Sequence, residues 1–216
     1  QNGGLITTAD LKNYLVYSGA PLRTQYRGFE VAIMPPPSSG MFLLAMLNML
    51  ETRDLKALYE QDRSDYYHFM TEVLRRGYAD RYLYGGDARF ADVPASKIIS
   101  KAFALERAAD ISMEDASESA AVLPANVKLK VPAKSTETTH ISIMDRQGNA
   151  ITTTQSVNIP FGSRAMVPGW GLLLNDTMDD FAIAPAVPNT YGLVGRGWRW
   201  ARRVARVLSR PFCSRL

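Results

Sequence analysis

The chain has 216 residues, 46% of them apolar and 21% charged, the proportions of a globular domain with a real core. Its single cysteine excludes an internal disulfide and a thiolate metal cluster, and two histidines argue against a His-rich metal site. No apolar run approaches the roughly 20 residues of a membrane span, and Gln1-Asn2-Gly3-Gly4 lacks the basic region and apolar core of a signal peptide.

The formal charge of +4 is unevenly placed. Residues 196–216 hold seven arginines and no acid, together with Trp198, Trp200 and Cys213. Residues 1–195 hold 18 basic and 21 acidic residues, so the body carries a formal −3 and no cysteine.

Thr7-Thr8-Ala9-Asp10 has the spacing of a capping box, with Leu11 and Tyr14 following at helical spacing. Leu22 to Tyr26 and Phe29 to Met34 read as two strands around Arg27-Gly28, the second ended by Pro35-Pro36-Pro37. Met41 to Leu50 is too apolar for a surface helix and is expected to be buried. Ser64 to Arg81 reads as a helix with an apolar stripe of Tyr67, Met70, Val73, Leu74 and Tyr78. Ser96 to Arg107 reads as a shorter helix, and 110–137 as a surface segment with little fixed structure. Thr138 to Met144 and Ala150 to Val157 flank a turn at Asp145-Arg146-Gln147-Gly148-Asn149, a strong hairpin signal. Gly171 to Leu174 is a further short strand, ended by Asn175-Asp176.

Three features go beyond generic patterning. They are Thr138-Thr139-His140 opening a strand, the polar strand Thr152 to Asn158, and Met178-Asp179-Asp180-Phe181. Each has a bland reading on its own: threonines favour strands, an Asp pair after a strand is commonly a turn or cap, and His140 reads as a satisfied structural histidine.

In order and at their spacings, these segments resemble the γ-glutamyltranspeptidase family. The resemblance is carried by Pro35 to Gly40, Tyr78-Ala79-Asp80-Arg81 with Gly86-Asp87, Thr138 to Ser142, and Asp145 to Ala150. It continues in Asn158 with Phe161-Gly162, and in Leu174-Asn175 through Met178 to Phe181. Gly3-Gly4 to Tyr14 and Pro188-Asn189 to Gly195 extend it over residues 1–195.

The resemblance implies an α+β fold, part of a four-layer αββα sandwich of the N-terminal-nucleophile hydrolase type, truncated here at both ends. It implies a precursor that cuts itself between Glu137 and Thr138. Residues 1–137 are then the C-terminal part of a large subunit and 138–195 the N-terminal part of the small, catalytic one. Thr138 is the implied nucleophile. Ser156 stands where the family usually has a threonine bonded to the nucleophile. Asn158 and Asp180 match positions that bind the α-carboxylate and α-amino ends of a glutamyl substrate, and Thr177 stands where Gln or Glu makes a second contact to the amine.

The chemistry suits these residues. A threonine hydroxyl is a weak nucleophile and needs a base, which the α-amine freed by cleavage supplies. Asp180 suits an ammonium, because a charge-assisted hydrogen bond is about twice as strong as a neutral one. The implied reaction is attack on a γ-glutamyl amide of glutathione type, then transfer from acyl-threonine to water or an amino acid, with no cofactor and no metal. The implied partners are that small-molecule substrate and the remaining parts of both subunits; no nucleic acid is expected. Members are commonly periplasmic, secreted or at the cell surface.

Thr177 makes glutamyl specificity less secure than amidase chemistry, so another N-terminal-nucleophile amidase, such as a β-lactam acylase, is the nearest alternative. A non-catalytic remnant with an anion-binding tail is the other. Residues 196–216 have three readings: an anion- or membrane-binding segment, a helical surface element, or a shifted reading frame. The abrupt change of composition favours the last. A one-base shift over Trp200 to Arg210 permits the family's Pro-Gly-x-x-Pro-x-Ser-Ser.

Overall fold

A computed structural model describes residues 7–16, 18–89, 91–122 and 138–180, with the backbone alone of 179 and 180. Helix α1 (Thr8–Lys12) begins with the expected capping box: Thr7 Oγ1 accepts from Asp10 N at 3.2 Å and Asp10 Oδ2 accepts from Thr7 N at 2.7 Å. Strands β1 (Leu22–Tyr26) and β2 (Phe29–Ile33) pair antiparallel, Leu22 opposite Ile33 and Tyr26 opposite Phe29. Arg27 (φ 50°) and Gly28 (φ 82°) both turn left-handed, the geometry that matches a two-residue loop to the strand twist.

Helix α2 (Gly40–Leu50) is buried as its composition requires, with Met41, Leu44, Ala45 and Met49 almost wholly enclosed. Helix α3 (Leu55–Gln61), passed over above although Leu55, Leu58 and Tyr59 stand at helical spacing, is started by Asp54 Oδ1, which accepts from Lys56 N and Ala57 N. Helix α4 (Arg63–Tyr84) runs three residues past the expected end. Its buried face also differs from the expected stripe. Val73 is enclosed, but Tyr67, Leu74 and Tyr78 are exposed, and Phe69, Glu72, Arg76 and Asp80 are buried instead.

The charged trio can be buried because its members are paired. Arg76 Nη1 lies 2.6 Å from Glu72 Oε2 and Arg76 Nη2 2.9 Å from Asp110 Oδ1, while Arg107 Nη2 lies 3.0 Å from Asp80 Oδ1. Burial pushes the Glu72 carboxyl up. Hydrogen bonds from Ser117, Arg76 and Arg75 outweigh it and hold the group at about 2. At Asp80 burial prevails over Arg107 and Arg76, and the carboxyl is raised.

The helix expected over 96–107 is two helices, α5 (Ala95–Ile98) and α6 (Lys101–Ala108). Ser100 separates them, its Oγ accepting from Phe103 N at 3.1 Å as the cap of the second. The segment after Ala108 is not loose, as 110–137 was expected to be, as far as it is described. His68 Nε2 bonds Ser112 O at 2.8 Å, Glu72 Oε1 accepts from Ser117 N at 3.0 Å, and α7 (Ser119–Val122) packs on α4. Residues 123–137 lie outside the described residues. The core has two parts: Met49, Phe69, Val73, Ala104 and Ile111 in one, Met41, Phe42, Ile98 and Phe103 in the other.

Strands β3 (Thr138–Met144) and β4 (Ala150–Ser156) form the predicted antiparallel hairpin, in register from Thr138 opposite Ser156 to Met144 opposite Ala150. Asp145 closes its turn, accepting from Gln147 N, Asn149 N and Asn149 Nδ2. Those bonds, the Asn149 side chain first, hold its carboxyl below the usual range. Only Thr153 of the hairpin is half-buried, and the rest is exposed on both faces. The short β5 (Met166–Val167) pairs with β6 (Leu172–Leu173), which is shorter than the strand expected over Gly171 to Leu174. A 3₁₀ turn over Thr177–Asp180 follows. The described residues thus hold helices and three two-stranded antiparallel sheets, an α+β arrangement. The tail expected over 196–216 lies outside them.

Candidate functional site

Side chains alternate along a strand, so Thr138, His140 and Ser142 share one face of the hairpin with their partners Ser156, Thr154 and Thr152. At the open end of that face Thr138 Oγ1 donates to Ser156 Oγ at 3.4 Å. The next rungs form a hydroxyl–imidazole cluster. His140 Nδ1 lies 2.7 Å from Thr154 Oγ1, and Nε2 lies 3.0 Å from Ser142 Oγ and 3.1 Å from Thr152 Oγ1. His140 therefore has hydrogen-bond partners at both nitrogens, as its bland reading expects. A cavity of about 260 Å³ lies at the turn end, lined by Ser142 to Met144 and Ala150 to Thr152, away from Thr138.

After Ser156 the chain turns tightly. Asn158 has φ 80°, and Phe161, Gly162 and Arg164 are also left-handed. Asparagine tolerates this region better than most residues. The conformation aims Asn158 N–H at Ser156 Oγ, 3.1 Å away. The serine oxygen thus accepts from Thr138 and from Asn158 together. Asn158 is 7% exposed, and its Nδ2 donates to Asp176 O at 3.4 Å.

The turn is zipped onto the segment before the 3₁₀ turn. Ile159 N donates to Asp176 Oδ1 at 3.3 Å, Asp176 N to Val157 O at 3.3 Å, and Ser163 N to Leu174 O at 3.0 Å. Gly162 sits so close that a Cβ there would come within 2.4 Å of Leu174 O. This zip carries the 3₁₀ turn beside Asn158. Thr177 is exposed at its start, its N–H donating to Asn175 Oδ1 at 3.0 Å, and Asp180 closes it. The side chain of Asp180, and Glu137 altogether, lie outside the described residues.

Thr138, Ser156 and Asn158 are therefore joined by a continuous line of hydrogen bonds. Asp176 extends that line, and sequence reasoning passed over it, because Asn175-Asp176 reads as a plain strand-ending turn. The nearest signal was the succession of polar residues from Asn175 to Asp180 after a strand. Among the described residues, no group of three His, Cys, Asp or Glu is placed to hold a metal ion.

A family model described as gamma-glutamyltranspeptidase matches residues 1–208, nearly the whole chain. The chain belongs to the γ-glutamyltranspeptidase family. The match runs past Gly195, where the readable motifs end. Among curated relatives, a glutathione hydrolase proenzyme of Escherichia coli is 41% identical over 196 residues, 90% of this chain and 33% of that protein. An acylase ACY 1 proenzyme of a Pseudomonas species is 40% identical over 181 residues, 83% of this chain and 31% of that one. The chain thus spans about a third of the length of these relatives. The gamma-glutamyltranspeptidase of Helicobacter pylori superposes with TM-score 0.53 and 38% identity, over 61% of this chain and 38% of that one. A cephalosporin acylase of Bacillus halodurans matches in fold, with TM-score 0.63 and 23% identity over 89% of this chain and 33% of its own. The α+β pieces described above are part of the fold these enzymes share.

Proposed function

We propose that the chain carries the nucleophile region of a self-processing γ-glutamyl amidohydrolase, with cleavage between Glu137 and Thr138 releasing Thr138 as an N-terminal nucleophile. The observation that carries this reading is the Thr138–Ser156–Asn158 line of hydrogen bonds at the open end of the hairpin. The freed α-amine, with an ordinary pKa of about 8, is a competent base for the hydroxyl at neutral pH. Thr138 attacks the γ-carbonyl, the amine leaves, and water or an amino acid takes the acyl group from the threonine. Asn158 meets the substrate α-carboxylate, and Asp180, with Thr177 beside it, meets the α-ammonium. The substrate class is γ-glutamyl amides such as glutathione, and the partners are the remaining parts of the two subunits.

A second reading, an acylase for β-lactam side chains, is favoured by Thr177, whose side chain is shorter than Gln or Glu, and by acylases among the relatives. Turnover by these 216 residues alone is expected to be slow, because they span about a third of the length of the relatives. The test is acyl transfer to the protein, read by mass, from a γ-glutamyl anilide and from an acyl-lactam. An adduct on Thr138 from the anilide, absent in Thr138→Ala, is expected. An adduct from the acyl-lactam alone replaces the first reading with the second. Adducts indifferent to Thr138→Ala remove both.

A further inference from the structure

We propose that Asp176 is a positioning residue for the Thr138–Ser156 pair, acting through Asn158; the proposal rests on Thr138 being the nucleophile. Asp176 touches neither hydroxyl. It makes three hydrogen bonds to the three consecutive residues that follow Ser156. Its N–H donates to Val157 O at 3.3 Å, its carbonyl accepts from Asn158 Nδ2 at 3.4 Å, and its Oδ1 accepts from Ile159 N at 3.3 Å.

Such bracing has a reason. A non-glycine residue at φ 80° is strained, and strain persists only where the surroundings over-determine it. Asn158 is the residue so held, and its N–H is what occupies one acceptor site of Ser156 Oγ. With that site filled, the remaining acceptor site of Ser156 Oγ stays turned to the hydroxyl that Thr138 donates. Without the brace Asn158 relaxes, its N–H swings away, and Ser156 rotates freely. Two of the three bonds use the backbone of residue 176 and remain available in Asp176→Ala and Asp176→Asn. The carboxylate bond to Ile159 N is the one a substitution removes. Asparagine keeps an Oδ1 acceptor there, and alanine does not.

The test uses the full chain as Asp176→Ala and Asp176→Asn, with Thr138→Ala as control. Amide exchange is followed by NMR at Asn158, at Ile159 and at Val73 in the helical core, and release of the fragment starting at Thr138 is followed by mass. Asp176→Ala is expected to speed exchange at Asn158 and Ile159 about tenfold and to slow cleavage about tenfold, with Val73 unchanged. Asp176→Asn is expected to restore both. Unchanged exchange at Asn158 in Asp176→Ala overturns the proposal. Faster exchange with cleavage at the unaltered rate overturns the positioning role while leaving the nucleophile in place, provided Thr138→Ala stays whole. Cleavage that persists in Thr138→Ala, or no cleavage in the unaltered chain, removes the nucleophile reading itself and the positioning role with it.

Discussion

Residue 162 has no room for a side chain. Its φ of 51° is one that L-residues adopt at a cost of about 1–2 kcal/mol, and a Cβ would meet the Leu174 carbonyl oxygen at 2.4 Å. Gly148 in the hairpin turn is equally left-handed (φ 85°) but has nothing within 4 Å of the position a Cβ would take. The pair separates conformational strain from steric conflict. Gly148→Ala is expected to cost about 1 kcal/mol, the conformational part alone. Gly162→Ala is expected to cost about 2–3 kcal/mol, because backbone must also move. Amide exchange at Ser163 and Leu174 reads the second, and at Asp145, which bonds Asn149 O, the first. Equal losses at the two sites would contradict the role given to the zip between 157–163 and 174–176. Asp176 and Gly162 together explain how a turn of strained residues holds its shape.

Among elements, α4 is the one whose burial least follows hydropathy. Glu72 is held at about 2 in the folded chain and returns to 4.5 on unfolding, so its contribution is complete above pH 4.5 and lost as pH falls toward 2. Asp80 runs the other way: its folded pKa is raised above 3.8, so its penalty is relieved as pH falls. Glu72→Gln is therefore expected to lower stability at neutral pH by about 3 kcal/mol, since it leaves Arg76 less compensated. It should also flatten the loss of stability between pH 4.5 and 2. Urea denaturation across that range measures both, and an acid limb as steep as that of the unaltered chain would contradict the assignment.

The same helix shows what a sequence can carry. The capping box at Thr7 and Asp10, the Arg27-Gly28 turn and the β3–β4 hairpin are local, and each was legible from adjacent residues. The buried face of α4 was not, because burial of Glu72, Arg76 and Asp80 depends on Asp110, Ser117 and Arg107, which lie 27 to 45 residues away along the chain. Tyr67, Leu74 and Tyr78 look like core to any hydropathy period and are exposed. The break between α5 and α6 turns on one serine choosing to cap rather than continue. At the candidate site, the motif pointed to Thr138, Ser156 and Asn158, which hydrogen bonds now join. Asp176 was missed because its bonds go to residues 17 to 19 positions back.

On the scale of the whole molecule, the helical part encloses two cores while the hairpin that bears Thr138 lies open. Ile141, Ile143 and Ile151 are 44%, 59% and 63% exposed, and a two-stranded hairpin by itself is marginal in water. The chain spans about a third of the length of its relatives. The chain thus presents the proposed nucleophile, its hydroxyl partner and the braced turn beside them. Whether this constellation performs its first reaction, on its own backbone, is decided by intact mass and N-terminal sequencing of the chain after incubation. A fragment that begins at Thr138 with a free amine, its complement ending at Glu137, and an uncut Thr138→Ala chain are expected. An unaltered chain that stays whole, or a Thr138→Ala chain cut at the same bond, would contradict the role given to Thr138.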